Sequence, residues 1–463
     1  MILSFLKCGG FTKVQLAVPL LFTVLGSTLV FLPAPAFANP GGTAWCGHTI
    51  TTSTTLTANI GPCSGNGLII GADGITLNCA GHKVRGDGLG SFPLGITQGI
   101  TLLGRRKVTV ENCKVTAFLY GFYLYTSSDN DLTNNTSNGN ADYGFYIYMS
   151  SNKNTFINNT ADGNEAGFHL FISDYNFFGQ NLASANSDTG WYIESSDGNT
   201  IYMNHSDGNF HEGFVLSDSA FNALLENTAN HNRRNGFLLQ HPGSTFNTLT
   251  SNVAEFNLRG FLLILGADRN TFDSNIANNN REEGFCLHNS SSMNTFTGNM
   301  ANGDVMGFYL SSSSGENTIN GNRADRNHYG FSLYDTDGNT LKGNTADADD
   351  VGFLLNHSSR NTLTDNTTHG DEYYGFYLIG SSYNKLRTNT ADNTVHGEGF
   401  YLRSSSSKNT LIGNMAHSDR TYGYVDQSIG SVAEGTANLY SSNECSGNGH
   451  GGSRPWGLCT PQS

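Results

Sequence analysis

Four side chains near the middle of the chain are of the types that general acid–base chemistry uses: Arg234, His241, Glu283 and His288. A carboxylate and an imidazole can take and return a proton near neutral pH, and a guanidinium can steady developing negative charge. They belong to a wider charged group with His211, Glu212, Asp218, His231, Arg233 and Glu282. The same group also reads as a solvated face with ordinary ion pairs. A second set carries rings instead of charge. Tyr123, Tyr125, Tyr146, Tyr148 and Tyr192 recur at regular intervals together with Tyr120, Tyr143, His169 and Phe171. Flat rings in a row suit the apolar faces of sugars, with phenol hydroxyls to bond their edges. They would equally serve as ladders that stabilise stacked strands. No metal site is expected, because the histidines are scattered, with no close His-x-His pair and no methionine beside them.

What positions these residues is a repeat. Gly121-Phe122-Tyr123-Leu124 returns as Gly144-Phe145-Tyr146-Ile147, Gly167-Phe168-His169-Leu170 and Gly190-Trp191-Tyr192-Ile193, and the series continues to Gly423-Tyr424. That makes 14 anchors, each 22, 23 or 24 residues after the last. A fixed period of this length marks a solenoid. About ten residues after each anchor comes a second piece, such as Asn154-Thr155-Phe156 or Asn339-Thr340-Leu341. A third follows, such as Asn159-Thr160-Ala161 or Asn344-Thr345-Ala346. Short alternating pieces separated by Asn, Ser, Gly and Asp predict strands joined by tight corners. The spacing therefore predicts a single-stranded right-handed parallel β-helix of about fifteen coils, each strand pairing with its counterpart one coil later, about 4.8 Å away. Positions +1 and +3 from each glycine then face in, and −1, +2 and +4 face out. The recurrent asparagines are expected to form ladders.

Four segments are expected. Residues 1–38 have the form of a secretory signal peptide: Lys7 and Lys13, the apolar Leu16–Leu32, and Ala36-Phe37-Ala38 as a cleavage site. Residues 39–116 form an N-terminal cap and irregular first coils, 117–424 the regular β-helix, and 425–463 a C-terminal cap that shields the last strand edges. No other apolar run is long enough to span a bilayer. An exported chain can form disulfides. Cys79 and Cys113 occupy equivalent places in neighbouring coils, so they are expected to pair. Cys46–Cys63 would staple the entry and Cys445–Cys459 the exit, leaving Cys286 over, although spacing alone does not fix the connectivity.

The chain has 24 basic and 38 acidic residues, a net charge of −14; without residues 1–38, which hold two lysines and no acid, it is −16. That excludes a nucleic-acid partner in the usual electrostatic sense and gives no global attraction for polyanions. Nothing in the sequence sets an oligomeric state.

The coil Gly-Phe-x-Leu…Asn-Thr-Leu…Asn-x-Ala resembles the parallel β-helix repeat of the pectin-lyase-like superfamily. Within it, the chain resembles the periplasmic repeat proteins related to NosD, the nitrous-oxide-reductase maturation factor. The entry segment Cys46-Gly47-His48-Thr49-Ile50 through Cys79-Ala80-Gly81-His82 resembles the start of such proteins. The repeat is also similar to that of mannuronan C5-epimerases, which carry Tyr-Gly-Phe-Asp-Pro-His-Glu on one coil. The matching stretch here is Glu283-Gly284-Phe285-Cys286-Leu287-His288-Asn289. His288 falls on the family's His, Cys286 on its catalytic Asp, Leu287 on its Pro and Glu283 on its Tyr. The resemblance implies an exported β-helix protein that binds or modifies an extended polysaccharide along the tyrosine face. If enzymatic, it would act as a lyase or C5-epimerase, and calcium is the one cofactor such chemistry would use. It implies as alternatives a periplasmic accessory role in copper-site maturation, or a non-catalytic structural or surface repeat.

Overall fold

Each anchor glycine begins one turn of a parallel β-solenoid because the chain there must pass close to its neighbours. A Cβ on Gly144 would stand 2.7 Å from the Gly167 carbonyl oxygen and 2.9 Å from Asn164 Nδ2. The computed structural model describes residues 42–88 and 95–461, and the expected leader, Met1–Ala38, lies outside them. Among the described residues all strand pairs are parallel, as a coil-on-coil arrangement requires. The first sheet holds 18 strands. Fourteen of them contain or directly follow the anchor glycines; the others are His48–Ile50, Leu68–Ile70, Gln98–Leu103 and Gly451–Arg454.

The register puts Phe122 against Phe145, then Phe168, Trp191 and Phe214. Their rings stack inside the solenoid with centroids 4.6 Å, 4.7 Å, 4.0 Å and 5.7 Å apart, and all are fully buried. A second sheet stacks Leu132, Phe156, Phe178, Ile201 and Leu224. Burial of such a side chain contributes about 1.5–3 kcal/mol, and the repetition sums this over every coil.

The third wall is uneven. It is a four-stranded sheet from Ile60–Cys63 to Thr136–Ser137 and an eight-stranded sheet from Met300–Asn302 onward. Between them Thr160, Leu182, His205, Thr228, Val253 and Ile276 pair only as isolated one-residue bridges to the coils on either side. The expectation of three strands in every coil does not hold there. Left-handed corners at Asn158 and Gly163 flank this piece as Gly321 and Arg326 flank a later one, so the path is kept and only pairing is reduced.

Three asparagine columns run along the inside corners, one per bend. In each, the backbone N–H donates to the carboxamide oxygen one coil on, as Asn130 does to Asn154 at 3.0 Å. The Nδ2 group donates to that same oxygen and back to an earlier carbonyl, as Asn159 does to Asn181 (3.0 Å) and to Leu132 (2.8 Å). These bonds satisfy corner amides that would otherwise be buried without partners. In the third column carboxylates replace carboxamides at Asp304, Asp349, Asp371 and Asp419. The three expected disulfides are present, Cys46–Cys63, Cys79–Cys113 and Cys445–Cys459, with Cα separations of 5.4 Å, 4.7 Å and 5.8 Å, and Cys286 is free and buried. Among the described residues no helix is long and apolar enough to cross a membrane.

Candidate functional site

The outer face of the first sheet carries its rings in register. Tyr123 lies over Tyr146, and Tyr125 over Tyr148, with centroids 5.6 Å and 5.8 Å apart. Tyr120 stacks on Tyr143 at 5.5 Å, and Tyr148 on Phe171 at 5.6 Å. His169 continues the column between Tyr146 (5.1 Å) and Tyr192 (5.0 Å). The row covers four coils. The rings are half-buried against one another, and Tyr125 stands 40 % exposed. Burial pushes the Tyr123 phenol up to about 12; burial with the Asp142 carboxylate holds that of Tyr143, and burial with neighbouring phenols that of Tyr146, higher still. They are therefore neutral hydrogen-bond donors and acceptors at physiological pH. A smaller patch repeats the pattern at Tyr374, Tyr377 and Tyr401.

Beyond Tyr192 the face changes. The +2 column passes to Val215 and Leu238, 4 % and 8 % exposed. The −1 column shrinks to Ala166 and Thr189 before Glu212. A groove of about 340 Å³ opens at this junction, walled by Tyr143 and Tyr192, with Glu165, Asp188, Glu212 and Arg234 among its lining residues. Burial raises the Glu212 carboxyl above its ordinary value, opposed mainly by Arg234. Asp142, beside Tyr143, is pushed up to about 7 by burial and by Glu165.

The four acid–base candidates do not converge. Arg234 faces Glu212. Glu283 lies two coils on, an axial distance of about 10 Å, and pairs with Arg259, which also holds Glu282. His241 bonds Ser217 Oγ at 3.0 Å and lies 3.5 Å from Asp218. His288 bonds Ser311 Oγ at 2.6 Å. Sequence reasoning missed Arg259, although it fills the −1 position one coil before Glu283 and could have been found by aligning coils. Cys286, on the strand similar to the epimerase motif, is 4 % exposed, and burial pushes its thiol far up, so it is a neutral group where that motif has a carboxylate. Among the described residues no three His, Cys, Asp or Glu side chains gather in a way that could hold a metal ion. Several histidines instead pair with acids across coils: His211 with Asp188, His328 with Asp350, His369 with Asp392 and His396 with Glu372.

The family model described as periplasmic copper-binding protein (NosD) matches residues 39–209, 186–313 and 311–451. No relative is found among curated proteins. Among solved structures, the A-module of mannuronan C-5 epimerase AlgE4 from Azotobacter vinelandii is similar at 13 % identity, over 78 % of this chain and 91 % of that one, with a TM-score of 0.44. The periplasmic alginate epimerase AlgG is similar at 12 % identity over 83 % and 77 %, with a TM-score of 0.28. DFA-IIIase from Arthrobacter chlorophenolicus A6, without its lid, is similar at 10 % identity over 64 % and 84 %, with a TM-score of 0.34.

Proposed function

Because the chain belongs to the NosD family, described as periplasmic copper-binding proteins, we propose that it works outside the cytoplasm, where its tyrosine row binds an extended polysaccharide. The single observation that carries this reading is the outward row itself: Tyr120, Tyr123, Tyr125, Tyr143, Tyr146 and Tyr148 on adjoining coils, ring beside ring, with His169 linking them to Tyr192. Strand pairing needs no such width of ring, and aromatic surface left in contact with water on this scale points to a binding face. Tyr123, Tyr125, Tyr146, Tyr148 and Tyr192 would stack on sugar faces, with the three disulfides keeping the coils in register in an oxidising compartment. The domain limits 1–38, 39–116, 117–424 and 425–463 are proposed with it, the leader directing export.

The reading is tested by affinity electrophoresis in gels containing neutral polysaccharides. Tyr146→Ala with Tyr148→Ala should keep the circular-dichroism spectrum and weaken retardation by about tenfold in affinity, two stacked rings being worth roughly 0.5–1.5 kcal/mol each. Unchanged retardation would reject the row as the binding face.

Catalysis is not part of this proposal: His241, Glu283 and His288 each have separate partners, Arg234 lines the groove with Glu212 instead, and Cys286 is neutral. A second reading, accessory work in copper-site maturation, is favoured by the family match alone. The residues do not fit a resident copper ion, since the thiol of Cys286 is buried and protonated and the described histidines gather in no ligand set. Copper titration of the intact protein tests it; affinity no greater than that of an unstructured histidine peptide would dismiss it.

A further inference from the structure

The groove at the end of the tyrosine row has a character of its own. Its volume, about 340 Å³, falls within the range of small-ligand clefts, about 300–1,000 Å³. It exists because Ala166 and Thr189 stand where the preceding coils carry Tyr120 and Tyr143, so two coils lack a ring. Tyr143 and Tyr192 remain as aromatic walls, and the lining charges are three acids against Arg234. Glu165 is exposed and holds no ion pair or side-chain hydrogen bond. Asp188 takes its side-chain contacts, from His211 and Thr189, on Oδ1. Glu212, only 7 % exposed, takes one hydrogen bond on Oε1 from Asn235, while its other oxygen has none.

A second observation comes from His169. It is 6 % exposed, wedged edge-on against Tyr143 at 4.6 Å and tilted against Tyr192 at 5.0 Å, the two walls of the groove. Neither of its ring nitrogens has a hydrogen-bond partner, although Nε2 lies 3.5 Å from Glu194. Buried polar groups are seldom left so. The stack bordering the groove thus has spare polar capacity as well as spare carboxylate charge.

We propose, resting on the reading of the tyrosine row as a saccharide face, that this groove is the subsite for an amine-bearing sugar residue, such as an unacetylated hexosamine. Its ammonium group would lie against the Tyr143 and Tyr192 rings, which attract cations through their faces, and between the carboxylates of Glu165 and Asp188, which supply charge-assisted hydrogen bonds. A uronate is the wrong partner, because its carboxylate would face three others on a chain of net charge −14.

Calorimetric titration of the intact protein with a β-1,4-linked glucosamine hexamer, its N-acetylated counterpart and the matching glucose hexamer tests this. The amine oligomer should bind about tenfold tighter than the acetylated one, a gap that narrows in 0.5 M salt. Glu165→Gln should cut the preference to about threefold. Glu316→Gln, which removes the same charge from an exposed corner elsewhere, should leave it unchanged. Tyr146→Ala should weaken all three oligomers alike. Equal binding of the amine and acetylated oligomers, or a preference that both glutamate variants reduce equally, would overturn the subsite while leaving the tyrosine row intact. Failure of every oligomer to bind would overturn the row and the subsite together.

Discussion

Asp349→Asn is expected to stabilise the protein, and to do so more at pH 8 than at pH 5. Asp349 stands in the third inner column, where most coils place asparagine. Its Oδ1 accepts from the Asn327 backbone N–H at 2.6 Å, while Oδ2 is buried without a partner. An asparagine at the equivalent place donates instead, as Asn257 does to the Ala229 carbonyl at 2.8 Å. A carboxylate cannot donate, so burial pushes the Asp349 carboxyl up to about 9. The folded state then holds a proton that the unfolded chain releases near pH 4. The contribution of Asp349 to stability is full below pH 4 and is lost as pH rises towards 9, because the native state binds more protons at this group across that window. With the folded value at about 9, 1.36 kcal/mol per unit above 3.8 sets a ceiling of about 6 kcal/mol at pH 8 and about 2 kcal/mol at pH 5. Relaxation and water entry around a buried charge remove roughly half of each. The expected gain is therefore about 3 kcal/mol at pH 8 and about 1 kcal/mol at pH 5. Urea midpoints followed by far-ultraviolet circular dichroism at the two pH values measure it. Equal gains at both, or a loss at pH 8, would refute the assignment of Asp349 as a buried neutral acid.

Phe145→Ala removes a fully buried ring stacked between Phe122 and Phe168, and should cost about 3–5 kcal/mol in urea unfolding. Replacing Cys79 and Cys113 by serine opens a bridge across 34 residues and should cost about 3–4 kcal/mol on the chain-entropy account, read as a lower urea midpoint against the oxidised parent. Cys286, buried and with its thiol pushed up, should resist alkylation in the native state and react once the chain is unfolded, as peptide mapping by mass spectrometry would show. In alkaline titration at 295 nm, Tyr123 should ionise near pH 12, while Tyr383, lowered by its hydrogen bond from Lys408, should ionise ahead of an ordinary tyrosine.

The coil was legible because each of its determinants repeats. The glycine sits where the backbone approaches itself, the Phe column where rings stack, and the asparagines where corner amides need partners, so the period of 22–24 residues declares all three. The disulfides were legible for the same reason: Cys79 and Cys113 fall on one column of neighbouring coils. The four acid–base candidates were grouped by closeness in sequence, whereas contact in a solenoid follows column and coil number. On that criterion Glu283 belongs with Arg259, and Arg234 with Glu212. The thinning of the third wall between Thr160 and Ile276 left no trace, since its Asn-x-Ala motif and left-handed corners are those of the fully paired coils. The acids at Asp304, Asp349, Asp371 and Asp419 escaped notice because Asp and Asn differ little in a turn pattern, though they differ greatly once buried. The groove arises from what two coils lack, and a missing ring makes no motif.

Footprinting of tyrosines with a photogenerated radical, with and without a saturating polysaccharide ligand, tests the central claim most directly. Protection should concentrate on Tyr123, Tyr125, Tyr146, Tyr148 and Tyr192, while exposed Tyr175 and Tyr383 on the outer corners label as before. Protection of those corner tyrosines with none along the row would place the ligand on another face and contradict it.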